Sequence, residues 1–111
     1  MIEGFYEARA EVARALAHPV RMQIIDILST EGEKCVSDLT DLLQVGQPSV
    51  SRHLRVLRNA GIVRHEKEGL QVLYRIRTPC IADLFRCLDT IIVEDLRNRQ
   101  SHLGYGSEES T

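Results

Sequence analysis

Hydrophobic residues recur along most of this chain at the three-to-four-residue spacing of amphipathic helices, and in one stretch they recur every second residue. The Ala-rich segment from Glu7 to Ala17 contains strong helix formers and no breaker, which predicts a first helix ending before His18-Pro19. Pro19 suits the first position of a second helix, whose apolar face carries Val20, Ile24, Ile25, Ile27 and Leu28 and which stops near Glu31-Gly32. Ser37 followed by Asp38 predicts the start of a third helix, capped by the serine oxygen, with Leu39, Leu42 and Leu43 toward the core. Beyond the turn at Val45-Gly46, the segment Gln47 to Ala60 sets Val50, Leu54 and Leu57 at i, i+4 and i+7. At about 100° per residue, Ser49, Arg52, Arg55, Val56 and Asn59 then fall on the opposite half of this fourth helix.

The period changes to two from Ile62 to Glu68 and again from Leu70 to Arg77, with Gly69 between, which predicts a β-hairpin. A last helix is expected to take Thr78 as its cap and Pro79 in its first turn. It runs to about Arg99 on the apolar positions Ile81, Leu84, Leu88, Ile91, Ile92 and Leu96. The expected fold is mainly α with a β-hairpin wing (α+β): five helices in a single domain over residues 1–103, followed by a disordered tail over 104–111.

A length of 111 residues suits one such domain, and 43% apolar with 27% charged residues excludes disordered and fibrous classes. The longest aliphatic run, Ile91-Ile92-Val93, is far short of the roughly 20 residues that span a bilayer. Met1-Ile2-Glu3-Gly4 lacks the basic start of an export signal. A soluble cytoplasmic protein with no membrane partner is therefore expected. Three cysteines, Cys35, Cys80 and Cys87, without CxxC spacing indicate neither a disulfide framework nor a structural zinc knuckle.

The net charge of −2 argues against an anionic partner until its distribution is considered. Between Gln47 and Arg77 the basic residues Arg52, Arg55, Arg58, Arg64, Lys67, Arg75 and Arg77 face only Glu66 and Glu68. Such a segment is either a solvated charged face or a local positive face for an anionic polymer. Two short helices joined by a glycine turn, the second basic on its outside, and then a hairpin form the order of a winged helix-turn-helix. In that arrangement the partner is double-stranded DNA. Gln47, Ser49 and Ser51 lie toward the groove floor, Arg52 and Arg55 reach bases or phosphates, and Lys67 at the hairpin turn touches phosphate. Local helix capping is the alternative role for Ser49 and Ser51, and His53, beside the core stripe, reads as a packed structural residue.

No P-loop, GxGxxG, HExxH or nucleophile-elbow pattern occurs, so the chain does not read as an enzyme. A winged helix serving only protein contacts would show acidic or apolar outward positions where Arg52 and Arg55 stand.

From about Val12 to Leu96 the sequence resembles the ArsR/SmtB family of bacterial repressors. The resemblance is carried by Leu16-Ala17-His18-Pro19-Val20-Arg21, by the run from Gln47-Pro48-Ser49 through Ser51-Arg52-His53-Leu54 to Asn59-Ala60-Gly61, and by the hairpin after it. It implies a homodimer joined through the first and last helices, with Leu84, Leu88 and Ile91 at the seam. Such a dimer represses without any cofactor and leaves operator DNA when an inducer binds. The long apolar stripe of the last helix supplies an independent reason to dimerise.

Inducer chemistry turns on the cysteines. The arsenic-responsive branch resembles Cys-Val-Cys-Asp-Leu at the third helix, where this chain has Cys35-Val36-Ser37-Asp38-Leu39, keeping the first thiol and replacing the second by a hydroxyl. At the places of the zinc-responsive branch's ligands stand Thr78, Cys80, Ile91 and Glu94, which do not make such a zinc site. Cys80 is expected within the first turn of the last helix, where free amides and the dipole favour a thiolate. Cys87, on the same stripe but about 10 Å along the axis, lies beyond disulfide reach of Cys80 in one straight helix. Cys35 and Cys80, with Cys87 as a further thiol, are the candidate ligands for As(III), Sb(III) or another thiophilic metal. The alternatives are a thiol redox or persulfide response, or cysteines that serve only as small buried hydrophobes.

Overall fold

The structure, a computed structural model, describes residues 3–104 of the chain. Its elements run α1 (Phe5–Leu16), α2 (Pro19–Glu31), β1 (Lys34–Cys35), α3 (Val36–Leu43), α4 (Gln47–Asn59), β2 (Val63–Glu68), β3 (Gln71–Ile76) and α5 (Ile81–Gly104). The expected tail from residue 105 onward lies outside the described residues, and Gly104 belongs to α5, which extends past the anticipated end at Arg99. The chain divides into two compact units, Met1–Pro79 and Cys80–Thr111. Among the described residues no helix is long and apolar enough to cross a membrane.

The core of the first unit follows the helical stripes. Ile24 and Ile25 of α2, Leu39 of α3, and Val50, Leu54 and Leu57 of α4 are all wholly buried, and each such side chain contributes about 1.5–3 kcal/mol. Leu42, expected beside Leu39, is instead 52% exposed. An eight-residue helix has room for only a narrow inward face, and Leu42 falls at its edge.

The hairpin is part of a larger sheet. The strand order is β1-β3-β2, all antiparallel, with Lys34 opposite Tyr74 and Cys35 opposite Leu73, while β2 pairs from Val63↔Ile76 to Glu68↔Gln71. Gly69 takes φ 63° at the first position of the two-residue turn, a conformation that costs glycine little. Arg75 on β3 reaches Glu33 just before β1 at 3.2 Å and Glu66 on β2, so one guanidinium spans the sheet.

Two helix starts differ from expectation. Helix α3 begins one residue before Ser37. Cys35 is its N-cap, and the Asp38 carboxylate accepts the Cys35 N–H at 3.3 Å in a reciprocal capping arrangement. The short strand sets this: once Cys35 is paired in the ladder, the chain turns into the helix directly behind it. At α5, Thr78 does not cap; its hydroxyl donates to the Gly61 carbonyl at 3.2 Å. The Cys80 carbonyl accepts from the Asp83 and Leu84 amides instead, which puts Cys80 immediately before the helix rather than inside its first turn.

Candidate nucleic-acid interface

Helix α4 is built to present one face. Gly46 is its N-cap, Pro48 stands in the first turn, and the end is closed by the paired bonds Ile62 N–H to Leu57 C=O and Gly61 N–H to Arg58 C=O. Gly61 adopts φ 83°, a left-handed backbone that favours glycine; a Cβ there would lie 3.2 Å from Nη1 of Arg77, the tip of an exposed side chain that can yield. Because Val50, Leu54 and Leu57 are wholly buried, the rotation of α4 is fixed and the opposite side is left to solvent.

On that side Gln47, Arg52 and Arg55 are exposed, while Ser49 and Ser51 are half-buried. Gly46 occupies the cap, so neither serine caps the helix; the Ser49 hydroxyl instead accepts a hydrogen bond from Nη2 of Arg52 at 3.2 Å. This bond steers Arg52 back toward the start of α4. The Arg55 side chain makes no hydrogen bond or ion pair among the described residues, and neither do those of Arg64 and Lys67 on β2, all of them exposed. Arg58 shares a hydrogen bond with Nδ1 of His65 at 3.3 Å, and Arg75 is held between two carboxylates. The positive face is thus narrower than the sequence tally: Arg52, Arg55, Arg64, Lys67 and Arg77 are exposed, whereas Arg58 is shared with His65 and Arg75 serves the sheet.

One functional-looking group was only half legible. His53, expected as a packed residue, is half-buried; its Nδ1 accepts from Nε of Arg21 at 3.1 Å and its ring lies 4.3 Å from that of His18. Burial pushes the His53 imidazole below its ordinary value, and the nearby His18, Arg21 and Arg52 push the same way.

Cys35 is half-buried in the first unit; Cys80 and Cys87 belong to the second and are exposed in the single chain. Cys80 directly precedes α5, and Cys87 lies within it between the exposed Arg86 and the half-buried Leu88. Among the described residues no three His, Cys, Asp or Glu side chains gather closely enough to hold a metal ion. A soft ion at Cys35 or Cys80 would therefore need a ligand from elsewhere.

A buried-stripe helix with basic residues outward, preceded by a short helix and followed by a β-hairpin that pairs with β1 in a three-stranded sheet, defines a winged helix-turn-helix. The model of the arsR family of bacterial regulatory proteins matches residues 18–65, spanning both helices and the start of the wing. Over 86 residues the chain is 35% identical to an uncharacterized HTH-type transcriptional regulator of Methanocaldococcus jannaschii, covering 78% of this chain and 97% of that one. The chain belongs to the ArsR/SmtB family, whose members are DNA-binding transcriptional regulators rather than enzymes. It is also 47% identical over 70 residues to the HTH-type transcriptional repressor SmtB of Mycobacterium tuberculosis, a match that takes in 63% of this chain and only about half, 51%, of that repressor. A solved homodimeric winged helix-turn-helix DNA-binding domain from Mycobacterium bovis, a possible ArsR-family regulator, is similar with a TM-score of 0.75 and 28% identity, over 88% of this chain and 93% of that domain.

Proposed function

We propose that the chain is a cytoplasmic transcriptional repressor that binds double-stranded operator DNA as a homodimer and leaves it when a thiophilic inducer binds. The observation that carries the DNA part is the fixed rotation of α4, with Val50, Leu54 and Leu57 buried and Arg52 and Arg55 outward. A helix of that width fills the major groove, where arginine reads guanine bidentately, while Lys67 near the wing turn reaches phosphate. Dimerisation is supported by α5, on which Leu84 and Ile91 are 43% and 63% exposed and Leu88 is half-buried, an apolar stripe that a second copy would cover.

The inducer part rests on Cys35, which keeps the first thiol of the arsenic-responsive motif, and on the exposed Cys80. Trivalent arsenic or antimony, another soft metal, or a persulfide would each react with thiolates there, a third ligand coming from another thiolate or a small molecule. The alternative of purely structural cysteines has an observation behind it only at Cys35, which caps α3 and pairs with Leu73. The deciding experiment uses a duplex from the region upstream of the chain's own gene and measures its release against arsenite, antimonite, cadmium, zinc, lead and polysulfide. Release from wild type but not from the triple Cys→Ser variant supports thiol sensing; equal release from both assigns the cysteines to structure.

A further inference from the structure

His18, Arg21 and His53 form a cluster for which DNA reading has no use. Nδ1 of His18 accepts the Val20 N–H at 3.1 Å and so caps α2. Arg21 donates Nε to Nδ1 of His53 at 3.1 Å and Nη1 to the Ala15 carbonyl at 3.2 Å and the Arg14 carbonyl at 3.5 Å. One guanidinium therefore ties the end of α1 to the middle of α4. Both imidazoles use Nδ1 as an acceptor, which only the neutral ring can do.

A proton on Nδ1 of His53 would turn that acceptor into a donor facing another donor, and would set a positive ring against a guanidinium. Among the described residues, the charges that shift His53 all act against that proton. From α2 the field at His53 comes from His18 and Arg21, and from α4 itself it comes from Arg52, all cationic or able to become so. From α1, Arg14 supplies a backbone carbonyl to Arg21, and the Arg14 and Glu11 side chains line a groove of about 530 Å³ between α1, α2 and α4 that Arg21 shares. The carboxylates of α3, Asp38 and Asp41, and of β2, Glu66 and Glu68, are not among the charges acting on His53, nor are the basic Arg64 and Lys67.

We propose that Arg21 and His53 are a positioning pair that holds the recognition helix α4 against α1, and that operator binding is consequently proton-linked, full while His53 is neutral and weakened once it is protonated. This rests on the DNA-binding reading above. Its sign is diagnostic, because added positive charge by itself tightens binding to phosphate as pH falls. The pair sits off the outward face of α4, so it acts on the angle of the helix and not on a base.

The test compares wild type with His53→Gln, whose amide oxygen can still accept from Arg21 but does not titrate. The full chain and the upstream duplex are used at constant ionic strength between about pH 7.5 and pH 5.5, a window spanning the ordinary histidine value. Wild type should lose about fivefold or more in affinity over that range, within the usual size of coupling between sites. His53→Gln should match wild type at the upper pH and lose markedly less at the lower. Matching profiles for the two proteins, or tighter wild-type binding in acid, would overturn the inference while leaving DNA binding intact. If His53→Gln fails to fold, the His53 ring resonances of wild type decide: a lower pKa in the DNA-bound than in the free protein supports the pair, and an equal or higher one sinks it. A wild type that binds no DNA at any pH would remove the DNA-binding reading and this inference with it.

Discussion

Cys35 stands directly opposite Leu73 in the β1–β3 ladder, so the thiol that starts α3 is one rung from the inner strand of the wing. Chemistry at its sulfur is placed to disturb both the start of the helix-turn-helix and the sheet that carries Lys67. Serine is a good N-cap, so Cys35→Ser should keep α3 and change stability by less than about 1 kcal/mol. Cys80→Ser, at an exposed position, should likewise leave operator affinity intact. Both variants should stay on DNA at arsenite concentrations that free the wild type, whereas Cys87→Ser should respond normally. Wild-type release by Cys80→Ser would exclude that thiol from sensing.

Arg52 is steered by Ser49 and exposed on α4. Arg52→Ala should cost at least about 1 kcal/mol of specific binding and relax sequence preference at one position in each half-site, as base-reading arginines do. Selection from a randomised duplex library checks both. Unchanged preference would confine Arg52 to the phosphates.

Lys67 is exposed and, among the described residues, has no ion-pair partner on the wing. Lys67→Ala should weaken binding to all sequences alike and make the salt dependence shallower by about 1 per protomer. Titrations at several salt concentrations, on operator and on random duplex, measure that slope. A loss confined to the operator would contradict a phosphate role.

The apolar stripe of α5 predicts the fate of Leu88→Glu. A carboxylate at the centre of a dimer seam carries a penalty of several kcal/mol, so the variant should sediment as a monomer at micromolar concentration and lose tight operator binding. An intact dimer would move the interface away from Leu88.

Folding stability should also follow pH through His53. Its folded-state value is depressed, so between that value and the ordinary value near 6.5 the unfolded chain binds more protons than the folded one. The contribution is complete above the ordinary value and is lost as pH falls through the folded one. Urea midpoints of wild type should therefore drop on acidification below about pH 6.5 by more than those of His53→Gln. Parallel midpoints for the two would contradict the depressed value.

Much of this arrangement was legible because it is local. The Val50, Leu54 and Leu57 stripe fixed the face of α4 from sequence, and the alternation around Val72, Tyr74 and Ile76 located the wing. Strand β1 was not legible: two residues have no period, and Lys34-Cys35 becomes a strand only because β3 offers it an edge. The displaced start of α3 follows from that missing strand. His18 was not legible as a helix cap because an imidazole nitrogen is an uncommon capping group beside Ser, Thr, Asp and Asn. The bond from Arg21 to His53 joins residues 32 apart, a relation no local pattern carries. At the cysteines, the family motif located Cys35, while propensity put Cys80 one step too far along because Thr78-Pro79 looks like a helix start.

The strand order β1-β3-β2 leaves two open edges, and an open edge is a template on which another chain can add a strand. The two are blunted differently. The β1 edge is two residues long, too short for a stable pairing. The β2 edge is longer, but from Arg64 to Glu68 it carries Arg64, Glu66, Lys67 and Glu68 in exposed positions, so an incoming strand would have to desolvate charge of both signs. The charges of both signs along β2 thus also keep the wing from zipping to its neighbours, and replacing them with β-branched residues should make the protein self-associate through its wings.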